Sequence, residues 1–393
     1  MRGTPGAADA QDGPGVATDG GAFPPGILTA ILLPQDRIAR EPLGRWAERL
    51  SQRLARVRAE MRAPRALAHA VGAIGNNAAL IAAHAGASAA ARGLCERQMA
   101  WQLRLARRSR DRAITAHAVQ PWVNLARLQA QQRDCAGALE RLAALRRQAG
   151  QDALVIGCAR VRRDDWEVMA PGHDAFASFM ENVFVLDSLK ALLLNRRWDE
   201  TLDFAAALPG ATTPPLARFG AEAYVVASMR LGDAERARAT AQAMLPGSQT
   251  VFPLRLAEVH ACEGRRGEAA RLLVPLARLL RDSTPEQRAD LQTLHVMNRV
   301  AGACAEAGEH GEARALGLLV RQGAETAGDE VIRIESLRLL AALSSDAERG
   351  AWDDALAAAE ETTEYVRYRR GGPAPPAAAV EHLLQHLHEV FAS

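Results

Sequence analysis

Along most of the chain, apolar residues recur at steps of three and four, the spacing of one face of an α-helix. From Gln35 onward, Trp46, Leu50, Leu54, Val57 and Met61 form one such stripe. Arg45, Arg49, Arg53 and Arg56 run beside it, and Pro64 stops it. Runs of Val, Ile, Thr and Tyr, which pleated strands prefer, are nearly absent. The pattern predicts an all-α chain.

The stripes come in pairs. A short turn recurs between two helical patterns, at His84-Ala-Gly86, Leu231-Gly-Asp233, Glu263-Gly264, Ala307-Gly-Glu309 and Arg349-Gly350. Two further turns use Arg133-Asp134 and Arg197-Trp-Asp199. Five residues after each glycine stands an alanine (Ala91, Ala237, Ala269, Ala313, Ala355), and the glycine-less turns align Ala138 and Thr201 there. Twelve residues earlier stand Ala79, Ala126, Leu189, Val225, Ala257, Ala301 and Leu343. Small residues in one register let two helices cross closely, and each hairpin leaves an apolar face that its neighbour must cover. The predicted fold is a solenoid of about seven antiparallel helix pairs.

The second pair carries Trp122-x-x-Leu125-Ala126, then Arg133-Asp134, Ala138 and Leu142. With these residues the chain resembles the tetratricopeptide (TPR) family over roughly residues 66–365. The resemblance implies a right-handed superhelix with a concave groove lined by the first helix of each pair, and it carries no activity. The small-residue positions are 47, 63, 36, 32, 44 and 42 apart, so insertions fall between hairpins. The largest runs from Gly150 to about Ser178. There Ala153–Cys158, Arg162–Asp165 and Trp166–Met169 suggest a loop with a little strand, or a short β-hairpin, broken by Pro171-Gly172. By this reading residues 1–25 are a disordered tail and 26–65 an N-terminal helical cap. Repeats occupy 66–370, and 371–393 hold a C-terminal helix over the open end of the stack.

Composition adds little chemistry. Net charge is +2, but residues 1–165 hold 25 basic and 14 acidic groups, and the remainder 23 and 32. The basic segments Arg45–Arg62 and Arg104–Arg112 lack interleaved aromatics, so nucleic acid is not the expected ligand. The five cysteines are scattered without a C-x-x-C pair, which points away from a disulfide framework or a zinc cluster. No apolar run of the roughly 20 residues that span a bilayer stands out. A cytoplasmic protein is expected.

No cofactor or metal site is expected. H-E-x-x-H, the P-loop and G-x-S-x-G are missing, and Gly72-Ala-Ile-Gly75 has no strand before it. His382, His386 and His388 cannot all face one ion. Lys190 is the chain's single lysine, within the apolar helix Phe184–Leu194 and three residues after Asp187. A partly desolvated lysine can act as a base or Schiff-base nucleophile, so Lys190 and Asp187 are the catalytic candidates. A helix-surface pair, in an arginine-biased composition, is the plainer account of both. Groove positions of TPR proteins that hold a peptide carboxylate carry Asn, Lys and Arg. By that resemblance Asn77, Asn124, Arg127, Asn182 and Lys190 are candidate lining, although the basic set is incomplete. Further along, Glu222, Arg255, Glu258, His295, Asn298 and Arg299 are expected to face the same concavity.

The leading expectation is therefore a binding scaffold that recognises a protein or peptide in its groove. A biosynthetic or modifying enzyme, with a site where the 150–178 insertion meets Asn124, Arg127, Asp187 and Lys190, is the alternative and would take a small molecule. A ligand-sensing regulator is the third reading.

Overall fold

The computed structural model describes residues 43–149, 151, 153–156, 159–169, 175–208, 214–247, 250–362 and 378–392. The expected tail at 1–25 and the first part of the N-terminal cap lie outside them. The described chain is all-α with one small sheet, holding eighteen α-helices. They begin with α1 (Leu43–Glu60), α2 (Pro64–His84) and α3 (Ser88–Ser109), then a 3-10 segment (Arg112–Ala118). Next come α4 (Val119–Gln131) and α5 (Cys135–Ala149), followed by strands β1 (Ala153–Ile156) and β2 (Ala159–Arg162). The helices resume with α6 (Arg163–Met169), α7 (Ala175–Leu194), α8 (Trp198–Ala206), α9 (Pro214–Arg230) and α10 (Ala234–Met244). After them stand α11 (Val251–Cys262), α12 (Arg266–Arg281), α13 (Pro285–Ala289), α14 (Leu291–Ala307) and α15 (His310–Ala327). The last three are α16 (Glu330–Leu343), α17 (Asp346–Thr362) and α18 (Ala378–Ala392).

Sequence neighbours pack as pairs: α2 with α3, α4 with α5, α7 with α8, α9 with α10, α11 with α12, α14 with α15, α16 with α17. The first helices of these pairs also touch in succession, α2 to α4, α4 to α7, and so on to α16. They make one row.

The turns explain the pairing. Every residue with positive φ among those described ends a helix: Gly86, Gly232, Gly264, Gly308 and Gly328, with Arg110, Arg133 and Arg196 in the same role. Each turn repeats two backbone bonds, as when Gly232 N–H donates to Met229 O and Asp233 N–H to Ser228 O. This closure satisfies carbonyls that the helix end leaves open. The residue after it then starts the next helix, and Asp233 and Asp329 accept a bond there from the N–H groups of Arg236 and Ile332. Arg133 bears a φ that glycine takes more easily, and its guanidinium donates to the carbonyl of Leu194 at the end of α7.

The small-residue register falls in the core at six of the seven turns. Ala79, Ala126, Leu189, Val225, Ala257 and Ala301, with Ala91, Ala138, Thr201, Ala237, Ala269 and Ala313, are all buried. The seventh is a correction. Gly350 lies inside α17, and the chain turns instead at Ser344-Ser345, so Leu343 and Ala355 are only half-buried. The insertion is a two-stranded antiparallel hairpin, pairing Ala153 with Arg162, followed by helix α6 rather than a loop. Its Leu154, Ile156, Val161 and Trp166 share a core cluster with Val119, Val123 and Ala126 of α4 and Phe176 and Met180 of α7.

The C-terminal helix also departs from expectation. It packs on α1, α2 and α3, not over the end at α17. Val380, Leu383, Leu387, Val390 and Phe391 are buried among Leu50, Leu54, Ile74, Leu94 and Trp101. The Trp101 and Phe391 rings lie 5.5 Å apart, and Arg104 donates to the Phe391 carbonyl. The α1 stripe supplies the apolar surface that α18 covers, so the first pair is sealed by both termini of the described chain. One stretch of α2, Pro64–Ala83, is by length and composition apolar enough to cross a bilayer, contrary to the sequence expectation. Here it packs against α1, α3, α4 and α18.

Candidate functional site

The polar residues of the first-helix row form a ladder. In α4, Arg127 donates from Nε and Nη2 to the two carboxylate oxygens of Asp187 in α7, each at 2.9 Å. Its Nη1 reaches Asn124 Oδ1 at 3.3 Å, and Asn124 Nδ2 donates to Asn76 Oδ1 in α2 at 3.1 Å. Gln98 of α3 donates to the same Asn76 oxygen and to Gly72 O, both at 3.1 Å. Gly72 and Gly75 make room for this. A Cβ at Gly72 would stand 2.7 Å from Gln102 Nε2, and one at Gly75 would stand 2.2 Å from Gln98 Oε1. The glycine pair is thus a helix-crossing device.

A second stretch lies on α9, α11, α14 and α16. Arg255 is almost fully buried and donates to Glu222 Oε1 (Nε 3.1 Å, Nη2 2.6 Å) and to Glu258 Oε2 (Nη1 2.7 Å). Arg299 donates to Glu258 Oε1. Asn298 Nδ2 donates to Glu335 Oε2 at 2.8 Å. Burial acts to lower the Arg255 pKa, but the carboxylates of Glu258 and Glu222 outweigh it and leave the group raised. Burial acts to raise Glu258, and Arg255 and Arg299 reverse it into a lowered pKa. The four charges sum to zero, so the low-dielectric cost of each is met by another.

The ladder obeys a rule of register. Counted from the small residue of each first helix, position −2 holds Asn124, Asp187, Arg255 and Arg299, and position +1 holds Arg127, Lys190 and Glu258. At two of the six steps the +1 group of one helix bonds the −2 group of the next, Arg127 to Asp187 and Glu258 to Arg299. At the step from α7 to α9 a charged +1 residue finds no such partner. Lys190 at +1 meets Ala223 at −2, while Glu222 beside it is held by Arg255. Lys190 therefore makes no hydrogen bond or ion pair with any described residue, and its side chain is exposed. Its pKa is nonetheless lowered, first by burial, with Asp187 opposing and Arg127 adding.

Of the predicted residues, Asn124, Arg127 and Asp187 come together, as do Glu222, Arg255, Glu258 and Arg299. His295 is half-buried on α14, and Asn182 is exposed on α7. Asn77 is not part of the ladder: its Nδ2 turns back to Ala73 O at 2.9 Å within α2. Asn76, Gln98, Gln120 and Glu335 were missed. Gln120 donates to Asn124 Oδ1 at 3.1 Å from one turn before it, a spacing that could have flagged it. A separate cleft of about 460 Å³ between α8, α9 and α10 is lined by Leu208, Gly220, Tyr224 and Arg236. Glu222 lies on another side of α9, since five residues from Ala217 turn the helix by about 140°. Among the described residues, no group of three or more His, Cys, Asp or Glu is placed to hold a metal. No family model matches the chain, and no curated protein does.

Proposed function

We propose that the chain is a TPR-like, right-handed superhelical solenoid that binds a protein or peptide in a concave groove, acting as a scaffold in the cytoplasm. The first-helix row is the lining of that groove. The reading is supported above all by the break in the ladder at Lys190. Every other charge that the register places at positions −2 and +1 is bonded to a neighbour, whereas Lys190 is exposed and has no bonded partner among the described residues. A guest with an acidic group displaces water there and breaks no internal bond. The hairpin β1–β2 and helix α6 pack on the early turns of α4 and α7, before Arg127 and Lys190.

The test is affinity capture from extracts of the source cells. The bait proteins are the unaltered chain, Lys190→Glu, and Arg271→Glu on α12, whose side chain is 78% exposed. A partner held by the unaltered chain and by Arg271→Glu, and released by Lys190→Glu, is the expected result. A partner held equally by all three refutes the groove, once circular dichroism shows that each is folded.

A further inference from the structure

We infer that Lys190 is a reactive amine that captures a small aldehyde or keto acid as an imine, with the ligand's own anionic group resting on Arg127. This rests on the groove reading above and extends it from a binding surface to a covalent site. Lys190 and Asp187 are three residues apart on α7 and so share one face. Asp187 is clamped by Arg127, whose guanidinium is near enough to Lys190 to act on its charge. Of the five N–H groups of Arg127, three are spent on Asp187 and Asn124. One on each terminal nitrogen remains for a carboxylate or phosphate, and 40% of the side chain is exposed.

A lysine that carries an ion pair is locked as ammonium; Lys190 has no carboxylate bonded to it among the described residues. The charged groups that act on it are Asp187 of its own helix and Arg127 of α4, while Glu222 of α9 is engaged by Arg255. Burial and Arg127 both favour the neutral form, which is the nucleophile. The Nζ lone pair adds to the carbonyl carbon and gives a carbinolamine. Its hydroxyl then leaves with a proton as water, and the C=N bond forms. No electron donor or acceptor is needed, and hydrolysis reverses the step.

Lys190 is the chain's single lysine, so its chemistry can be read without interference from other side-chain amines. The full chain is treated near neutral pH with glyoxylate and cyanoborohydride, which fixes an imine as a secondary amine, and is mapped by peptide mass spectrometry. Lys190 is expected to react faster than Nα-acetyl-lysine amide, because a lowered pKa leaves more of the amine neutral. Glyoxylate should outpace uncharged propanal at Lys190, and Arg127→Gln should remove that preference. If Arg127→Gln does not fold, the preference is read from unaltered protein across salt concentrations and should fall as salt rises. Lys190→Arg should be labelled at the N-terminal amine only. Reaction no faster than the free amide, or no preference for glyoxylate over propanal, overturns the imine. If partner capture still depends on Lys190 in that case, the groove stands and only the covalent step falls. If glyoxylate is captured but Lys190→Glu holds the protein partner, the failure belongs to the scaffold reading.

Discussion

Replacing Leu387 by alanine should loosen the first helix pair, although that pair lies at the opposite end of the sequence. Leu387 is fully buried on α18, within the cluster built by α1, α2 and α3. A leucine-to-alanine change in a sealed core costs about 2–5 kcal/mol, and the lower half applies where the surroundings can settle. A terminal helix lying over one face can settle, so about 2–3 kcal/mol is expected. Phe391→Ala should cost about 3 kcal/mol and should also shift the fluorescence of Trp101, whose ring is 5.5 Å away. Hydrogen exchange read by mass spectrometry separates the two possible seats of α18. Loss of protection in α1–α3 is the expected result. Loss confined to α16 and α17, or a change in urea midpoint worth less than about 0.5 kcal/mol, would refute the placement. The shift should not depend on protein concentration, because the helix is held by its own chain.

The glycines of α2 and α14 predict opposite signs. Alanine is the better helix former by about 1 kcal/mol, so Gly302→Ala, whose added Cβ meets nothing within 4 Å, should stabilise by up to that amount. Gly75→Ala should instead destabilise by about 1–2 kcal/mol in thermal or urea melts, because its Cβ would press on Gln98 and on the Phe391 ring. Arg255→Met should cost about 3–5 kcal/mol, since it takes from the buried carboxylates of Glu222 and Glu258 the guanidinium they share. In the folded chain His117 is pushed down to about 4 by burial, by His69 and by Arg65, with Asp111 opposing. Between its ordinary value of 6.5 and about 4 the unfolded chain binds the extra proton, so stability should fall as pH drops through that window and level off below it. His117→Asn should flatten the slope, an effect bounded at about 3 kcal/mol; an unchanged slope in pH-dependent melts would show that His117 takes up its proton while folded.

The helical register was legible because it rests on side-chain size. A helix crossing tolerates only small or well-fitted residues, and the turn that precedes it needs a positive φ, so both leave marks at fixed spacing. The mark fails where glycine stands for a different reason. Gly350 has open space around it inside α17 and no turn to make, whereas Ser344-Ser345 ends α16 without glycine. Gly328 ends α15 with the same closure as the others but lies between two pairs, outside a search made within pairs. The seat of α18 was not legible. An amphipathic helix states how much surface it must bury and not which surface, and both ends of a stack offer an apolar face. Residues 363–377 separate α17 from α18, and fifteen residues can reach about 50 Å when extended. The chain length therefore permitted either end, and the decision lay in the stripe of α1.

The polar row was legible in part for a similar reason. Register assigns residues to a face, and Asn124, Arg127, Asp187, Glu222, Arg255, Glu258, Asn298 and Arg299 do share the row. Register does not assign partners, because the bonds join residues 33 to 60 apart in sequence. Those bonds change what the residues can do. A guest that takes Arg255 must expose two buried carboxylates, at a cost of several kcal/mol that one surface contact of about 0.2–1 kcal/mol cannot return. A guest that takes Arg127 through its two free N–H groups leaves Asp187 bonded, and one that meets Lys190 displaces only water. On the proposed groove, affinity should therefore concentrate at Lys190, the one charged +1 residue whose step offers no −2 partner. A second cation placed one repeat later, as in Val226→Lys, would test this. Val226 stands at +1 facing Arg255, so the added charge finds no carboxylate that is not already shared. If unpaired charge in the row is what recruits an anionic guest, that variant should bind glyoxylate at two lysines instead of one. If the surroundings of Lys190, Asp187 and Arg127 above all, are required as well, the new lysine should react like a free amine.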